Sequence, residues 1–170
     1  MTAAVLDGKA GSVVAVREVE VRYKPLRRRL PVTGDVNTSA GAAQVASAVL
    51  ANVTVEQFIA LHVDAKHALI GIHIGSIGAL DSTLVHPRDV FKAAVLTNAA
   101  GIIVAHNHPS GDPAPSPDDR EIMARLWRAG TIVGVELLDA IIVADPRDVG
   151  GVAPYDSFRE AGALPLGFPS

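Results

Sequence analysis

Two histidines spaced two apart, with a serine and an aspartate downstream, are the side chains of this 170-residue sequence best suited to hold a metal ion. They stand in Ala105-His106-Asn107-His108-Pro109, followed by Ser116 and Asp119, a His-x-His-x₇-Ser-x₂-Asp spacing. In an extended chain residues i and i+2 face the same way, so both imidazoles can converge on one point. The loop Pro109-Ser-Gly-Asp-Pro-Ala-Pro115 is dense in proline and glycine, which turns the backbone sharply and keeps it stiff. Beyond it Ser116 and Asp119 fall in the first turn of an expected helix, and a loop of that length can bring them back toward the strand end. Two neutral imidazoles and one carboxylate suit Zn²⁺ and leave its fourth tetrahedral position for water, as in catalytic rather than structural zinc sites. Ser116-Pro-Asp-Asp119 is also a sound helix start needing no metal, with a serine cap, proline first and acids in the first turn. Asp119 can serve both purposes.

Composition narrows the alternatives. With no cysteine there is no disulfide, thiolate zinc site, iron–sulfur cluster or cysteine nucleophile, so any metal falls to His, Asp or Glu. The cysteine-bearing zinc deaminases are excluded on the same ground. The His-Glu-x-x-His helix of thermolysin-like enzymes is absent. The adjacent letters His-Asn-His are not the nuclease motif of that nickname, which spreads its residues over a hairpin and a helix. Hydrophobic residues make up 49 % and aromatics only 4 %, so one domain with an aliphatic core is expected. No apolar run reaches the ~20 residues of a membrane span, and the amino terminus does not read as a signal peptide. The expectation is a cytoplasmic protein with no membrane partner. A net charge of −3 argues against nucleic-acid affinity through charge alone.

The elements that must position these residues follow from periodicity. Residues 1–11 read as a flexible tail, and 12–37 as a leading strand and a basic loop. Val13 to Tyr23 suggests a strand with a bulge. Arg22 to Arg29 holds five of the fifteen basic residues and reads first as a solvated connector. Thr38 or Ser39 caps a helix over about Ala40 to Ala51. Val55 to Val63 alternates, with Glu56, Phe58, Ala60 and His62 on one face and Val55, Ile59, Leu61 and Val63 on the other. Asp64 to His67 turns the chain into a returning strand, Ala68 to Ser76. Pro87 starts a helix to about Ala99. Gly101 to Ala105 is a buried central strand, and the helix opened at Ser116 closes near Gly130. Thr131 to Ala144 is strand-like, with an interruption around Leu138-Asp139. His62, His67 and His73 read as packing or surface groups, Ser110 and Asp112 as loop-shaping, and Asn107 as a backbone anchor. The expected fold class is α/β, one mixed, largely antiparallel sheet flanked by helices.

The string His106-Asn-His-Pro-Ser-Gly-Asp-Pro-Ala-Pro-Ser-Pro-Asp-Asp119 resembles the signature of the RadC family, within the JAMM (MPN+) zinc metalloprotease superfamily. Val55-Glu-Gln-Phe-Ile-Ala-Leu-His-Val-Asp64, Val85-His-Pro-Arg-Asp-Val-Phe91, Leu137-Leu-Asp139 and Ser157-Phe-Arg-Glu-Ala-Gly162 extend the resemblance. It implies an MPN/JAB domain over residues 38–165, a cytidine-deaminase-like sandwich. It further implies one zinc ion per chain held by His106, His108 and Asp119, with Ser116 steadying an oxyanion and Glu56 as general base. An interior strand face makes Glu56 credible in that role, because an unpaired charge there is costly and a metal-bound water relieves it. The implied reaction is hydrolysis of a peptide or isopeptide bond. The alternative is a non-catalytic accessory of DNA repair that binds DNA through Arg22 to Arg29, and a homodimer is open to either reading. Two departures from the family are noted. Many members carry an amino-terminal helical region with DNA-binding character that this chain is expected to lack. Ala140 follows Asp139 where histidine is common.

Overall fold

A computed structural model describes residues 5–8, 12–15, 35–51, 53–77, 85–108, 110–144 and 154–164. The basic run Arg22 to Arg29 and most of the strand expected from Val13 lie outside them. β1 (Val5–Gly8) and β2 (Ser12–Ala15) pair antiparallel in a two-stranded sheet, so a strand occupies Val5–Gly8, where the sequence suggests a flexible tail. The main sheet has the order β4-β3-β5-β6-β7, from β3 (Gln57–Val63), β4 (Leu69–Ile77), β5 (Gly101–Asn107), β6 (Glu136–Val143) and β7 (Tyr155–Ser157). Its neighbours pair antiparallel except β5 and β6, which are parallel. The mixed, largely antiparallel α/β class is therefore the observed one.

The alternation in β3 decides the layers. Phe58 and Ala60 point with Ile102, Val104, Ala140 and Ile142 into a core covered by α2 (Pro87–Leu96) and α3 (Pro117–Val133). Ile59, Leu61 and Val63 point with Ile103, Ala105 and Ile141 to the opposite face, under α1 (Ser39–Leu50). Ala42, Ala43 and Ala46 are fully buried on α1, small enough for its backbone to approach the sheet. Its start is fixed by Thr38, whose hydroxyl accepts from the Gly41 N–H at 3.0 Å.

Two helix ends differ from expectation. α2 stops at Leu96 rather than near Ala99, because the Thr97 hydroxyl donates back to the Ala94 carbonyl and Asn98 takes a left-handed φ of 54°. α3 runs through Gly130 to Val133 and ends at Gly134, with φ 72°. Thr131 to Val133 thus belong to the helix and not to the following strand. Gly130 is there for packing: a Cβ on it would lie 2.5 Å from the Val135 carbonyl oxygen and 3.1 Å from the Phe91 ring. The expected interruption at Leu138-Asp139 is a bulge, since Ile102 pairs with Leu137 while Ile103 pairs with Asp139.

Asp139 is fully buried and gathers donors from distant segments. Its carboxylate accepts from Ser39 of α1 at 2.7 Å, from Ser157 of β7 at 2.9 Å and from the Arg159 N–H at 3.0 Å. Removing it by Asp139→Ala strips several buried donors of their acceptor and is expected to cost about 2–4 kcal/mol in denaturant unfolding. His62 is likewise buried. Its Nδ1 bonds the Thr97 hydroxyl oxygen, which spends its own proton on Ala94, while Nε2 has no partner. Burial, and then the neighbouring His73, push its pKa down to about 4 from 6.5. Since the unfolded state takes up this proton first, stability is complete above pH 6.5 and falls as pH drops toward 4. The loss should approach about 3 kcal/mol at ~1.36 kcal/mol per unit, and His62→Phe should flatten that segment of the stability curve.

Candidate metal centre

The site lies where β5 ends and α3 begins. Strand β5 continues past the expected Ala105 through His106 and Asn107, and the ladder holds it there: His106 pairs with Phe58 and with Ile142. One residue on, the His108 N–H donates to the Val143 carbonyl at 3.0 Å. The backbone therefore stays extended across both histidines and brings their Nε2 atoms to 3.0 Å from each other. His106 is fully buried, its ring stacked 6.5 Å from that of Phe58. His108 is more open, and its Nδ1 meets the Asp112 carbonyl oxygen at 2.8 Å. A carbonyl can only accept, so Nδ1 of His108 carries a proton and its Nε2 lone pair faces inward when the ring is neutral.

Asp119 closes the group from α3. Its Oδ1 is 3.2 Å from His106 Nε2 and its Oδ2 is 3.6 Å from His108 Nε2. The same carboxylate completes a capping box. It accepts from the Ser116 backbone N–H at 2.8 Å, while the Ser116 hydroxyl accepts from the Asp119 N–H at 3.1 Å. Both readings of Ser116-Pro-Asp-Asp119 thus describe one geometry, in which the capping acid is also the neighbour of the histidines. The Ser116 hydroxyl donates its proton to Asp119 Oδ2.

Glu56 is brought in from the other side. It immediately precedes β3, a step short of the strand the alternation assigned to it, and its side chain is 20 % exposed. Its Oε1 lies 3.9 Å from His106 Nε2 and 3.8 Å from His108 Nε2. The ligand-type atoms of Glu56, His106 and His108 all fall within 4.8 Å of one another, and the three could hold a metal ion. All five sequence-selected residues, Glu56, His106, His108, Ser116 and Asp119, are therefore neighbours. What the sequence did not reveal is the Asp112 carbonyl that fixes the His108 ring, since a backbone oxygen leaves no trace in residue type.

Charge and burial are matched here. Burial by itself would raise the Asp119 carboxyl, but hydrogen bonds with His106, His108 and Ser116 outweigh it and hold the group far below the usual carboxylate range. The bond to Asp119 raises His108 against a burial that would lower it. His106 Nδ1 is buried without a partner, which leaves Nε2 as the ring's one engaged nitrogen. The donor set suits a small divalent cation. Two ligand atoms on a tetrahedral zinc with bonds of 2.0–2.1 Å lie about 3.3 Å apart. The two Nε2 atoms are 3.0 Å apart, Asp119 Oδ1 is 3.2 Å from His106 and Asp119 Oδ2 3.6 Å from His108, distances to either side of that value, while Glu56 Oε1 stands 3.8–3.9 Å from both rings.

Comparison with known proteins gives a consistent picture. A family model described as the RadC-like JAB domain matches residues 36–162. UPF0758 protein STH371 of Symbiobacterium thermophilum is 46% identical over 115 residues, 68% of this chain and 46% of that protein. UPF0758 protein ABC2615 of Shouchella clausii is 38% identical over 138 residues, covering 81% and 60% of the two chains. A UPF0758 protein of Thermotoga maritima is 50% identical over 101 residues, covering 59% and 42%. The chain thus spans about half the length of the curated relatives it matches.

Because Ser116 caps α3 as well as touching Asp119, Ser116→Ala is expected to lower stability by about 1 kcal/mol, read in chemical denaturation. Ser116→Asp, which can also cap, should recover most of that loss.

Proposed function

This chain belongs to the RadC-like JAB domain family, and on that premise we propose that it is a zinc-dependent hydrolase of peptide or isopeptide bonds. The observation that carries the reading is the convergence of two Nε2 atoms and the Asp119 carboxylate at ligand-to-ligand spacing, with a second carboxylate, Glu56, 3.8–3.9 Å from both rings. His106, His108 and Asp119 would hold the ion, and Glu56 would handle protons beside it. The ion would supply Lewis acidity toward a substrate carbonyl and make water a stronger acid at neutral pH.

The chain's own residues account for the remaining work. The Asp112 carbonyl holds His108 Nδ1–H and so presents Nε2 as a lone pair. The ladder between β3 and β5 fixes His106 in its buried position against Phe58. Glu56 Oε1 takes a proton from the attacking water and returns it to the nitrogen of the leaving amine, a contribution of roughly 10²–10⁴-fold. The Ser116 hydroxyl turns from Asp119 Oδ2 to donate to the carbonyl oxygen as negative charge develops on it. Only the hydroxyl proton turns: its oxygen still accepts from the Asp119 N–H and the Ser116 N–H still donates to Asp119, so the helix start survives the change.

The test joins elemental analysis to cleavage of peptide and isopeptide libraries. The unmodified chain should retain about one zinc ion and cleave members of one library. Glu56→Gln should retain the ion and lose roughly 10²–10⁴-fold in turnover. His106→Ala should lose both. Unchanged turnover in Glu56→Gln would remove Glu56 from the role of base, and a chain that takes up no zinc would end the hydrolase reading.

A further inference from the structure

We propose that Asn107, the residue between the two histidines, is the positioning residue for Glu56. The inference rests on the hydrolase reading for its catalytic consequence, and on hydrogen bonds alone for its structural part. Asn107 is 1 % exposed, and both ends of its carboxamide are engaged. Oδ1 accepts from the Gln57 N–H at 2.9 Å, and Nδ2 donates to the Val55 carbonyl at 3.1 Å. These are the two backbone groups on either side of Glu56. In an extended chain the C=O of one residue and the N–H two residues on point to the same edge, so a single carboxamide can bridge them as a neighbouring strand would. The two partners also fix which end of the amide is which, because an N–H must meet oxygen and a C=O must meet nitrogen.

The clamp stands where the sheet no longer supplies one. The β3–β5 ladder has Phe58–His106 as its last pair toward the site, and Glu56 precedes the strand. On the other side of β3 the register with β4 shifts between Gln57 and Ile59, so pairing there is irregular. Beyond Phe58 the β5 ladder therefore no longer holds the backbone that bears Glu56. Instead the segment Val55–Gln57 is tied to the residue that separates His106 from His108. With alternation, Asn107 projects opposite its neighbours, so one stretch of strand sends two rings into the site and a carboxamide across to the chain that bears Glu56. The backbone from which Glu56 reaches to 3.8 and 3.9 Å from the rings is thereby tied to the histidine strand itself.

The test uses the full chain loaded with Zn²⁺ and compares Asn107→Ala, and Asn107→Ser as the milder change should the first not fold. Amide exchange should quicken at Gln57 by about tenfold or more, while Ile59 and Leu61 inside the ladder stay within about threefold. Zinc content should be unchanged, since none of the proposed ligands is altered. On the best-cleaved member of a peptide library kcat should fall by about tenfold or more with KM little changed, a scale consistent with the ~10²-fold cost of a 1 Å misplacement. In a Glu56→Gln background the same change should cost nothing further, because Asn107 acts through Glu56. Unaltered exchange at Gln57 would overturn the clamp, and an additive loss in the double variant would overturn its action through Glu56. Should the unmodified chain cleave no library member, the hydrolase reading fails separately. Exchange at Gln57 and the Glu56 position in a crystal structure of Asn107→Ser then decide the clamp, an unmoved carboxylate counting against it.

Discussion

A carboxylate that is 2 % exposed has to be compensated, and the surroundings of Asp119 are arranged around that requirement. Its oxygens are met by the Ser116 N–H and hydroxyl from the start of its own helix and by two imidazoles from the neighbouring strand. The capping box orients the carboxylate, and the orientation brings it within reach of His106 and His108. This explains why helix α3 must begin where it does, and why the loop before it is stiff with proline. A shift of the helix start by one residue would rotate Asp119 away by about 100° and leave the histidines with Glu56 as their neighbouring carboxylate.

The second buried carboxylate works differently. Asp139 sits at the bulge of β6 and ties α1, β6 and the segment after β7 together through hydroxyls, backbone N–H groups and the Arg159 guanidinium. It faces the α1 layer, whereas the histidines turn to the side covered by α2 and α3, where Asp119 stands in the first turn of α3. The sheet therefore carries a carboxylate-centred cluster on each side, that of Asp139 closing the fold at its β7 edge and that of Asp119 open to chemistry.

How much of this was readable in advance depends on the distance over which each feature is decided. The histidine pair, the serine cap of α3 and the proline start of α2 are set by residues within a turn of one another, and residue type alone locates them. The alternation of β3 was equally plain because each face meets a different helical layer. Gly130 misled, since a glycine near a helix end usually closes it, yet this one is kept by the Phe91 ring of another helix. The hydrogen-bond partners of Asn107, and the part Asp139 plays as a hub, were hidden for a related reason. Asn107 meets partners 50 and 52 residues away, and Asp139 meets Ser39, Ser157 and Arg159 at 100, 18 and 20 residues, and nothing in the local spelling names them.

The parallel pairing of β5 with β6 obliges α3 to cross between them, so the segment bearing both rings and the one bearing Asp119 are consecutive along the chain. Glu56 alone must be delivered by a strand that formed much earlier in the sequence. In the proposed hydrolase, the residues that would hold the ion and the one that would move the proton thus come from separate parts of the chain. His106 is itself seated against Phe58 of β3, so the docking of that one strand would both settle the first ring and deliver the second carboxylate.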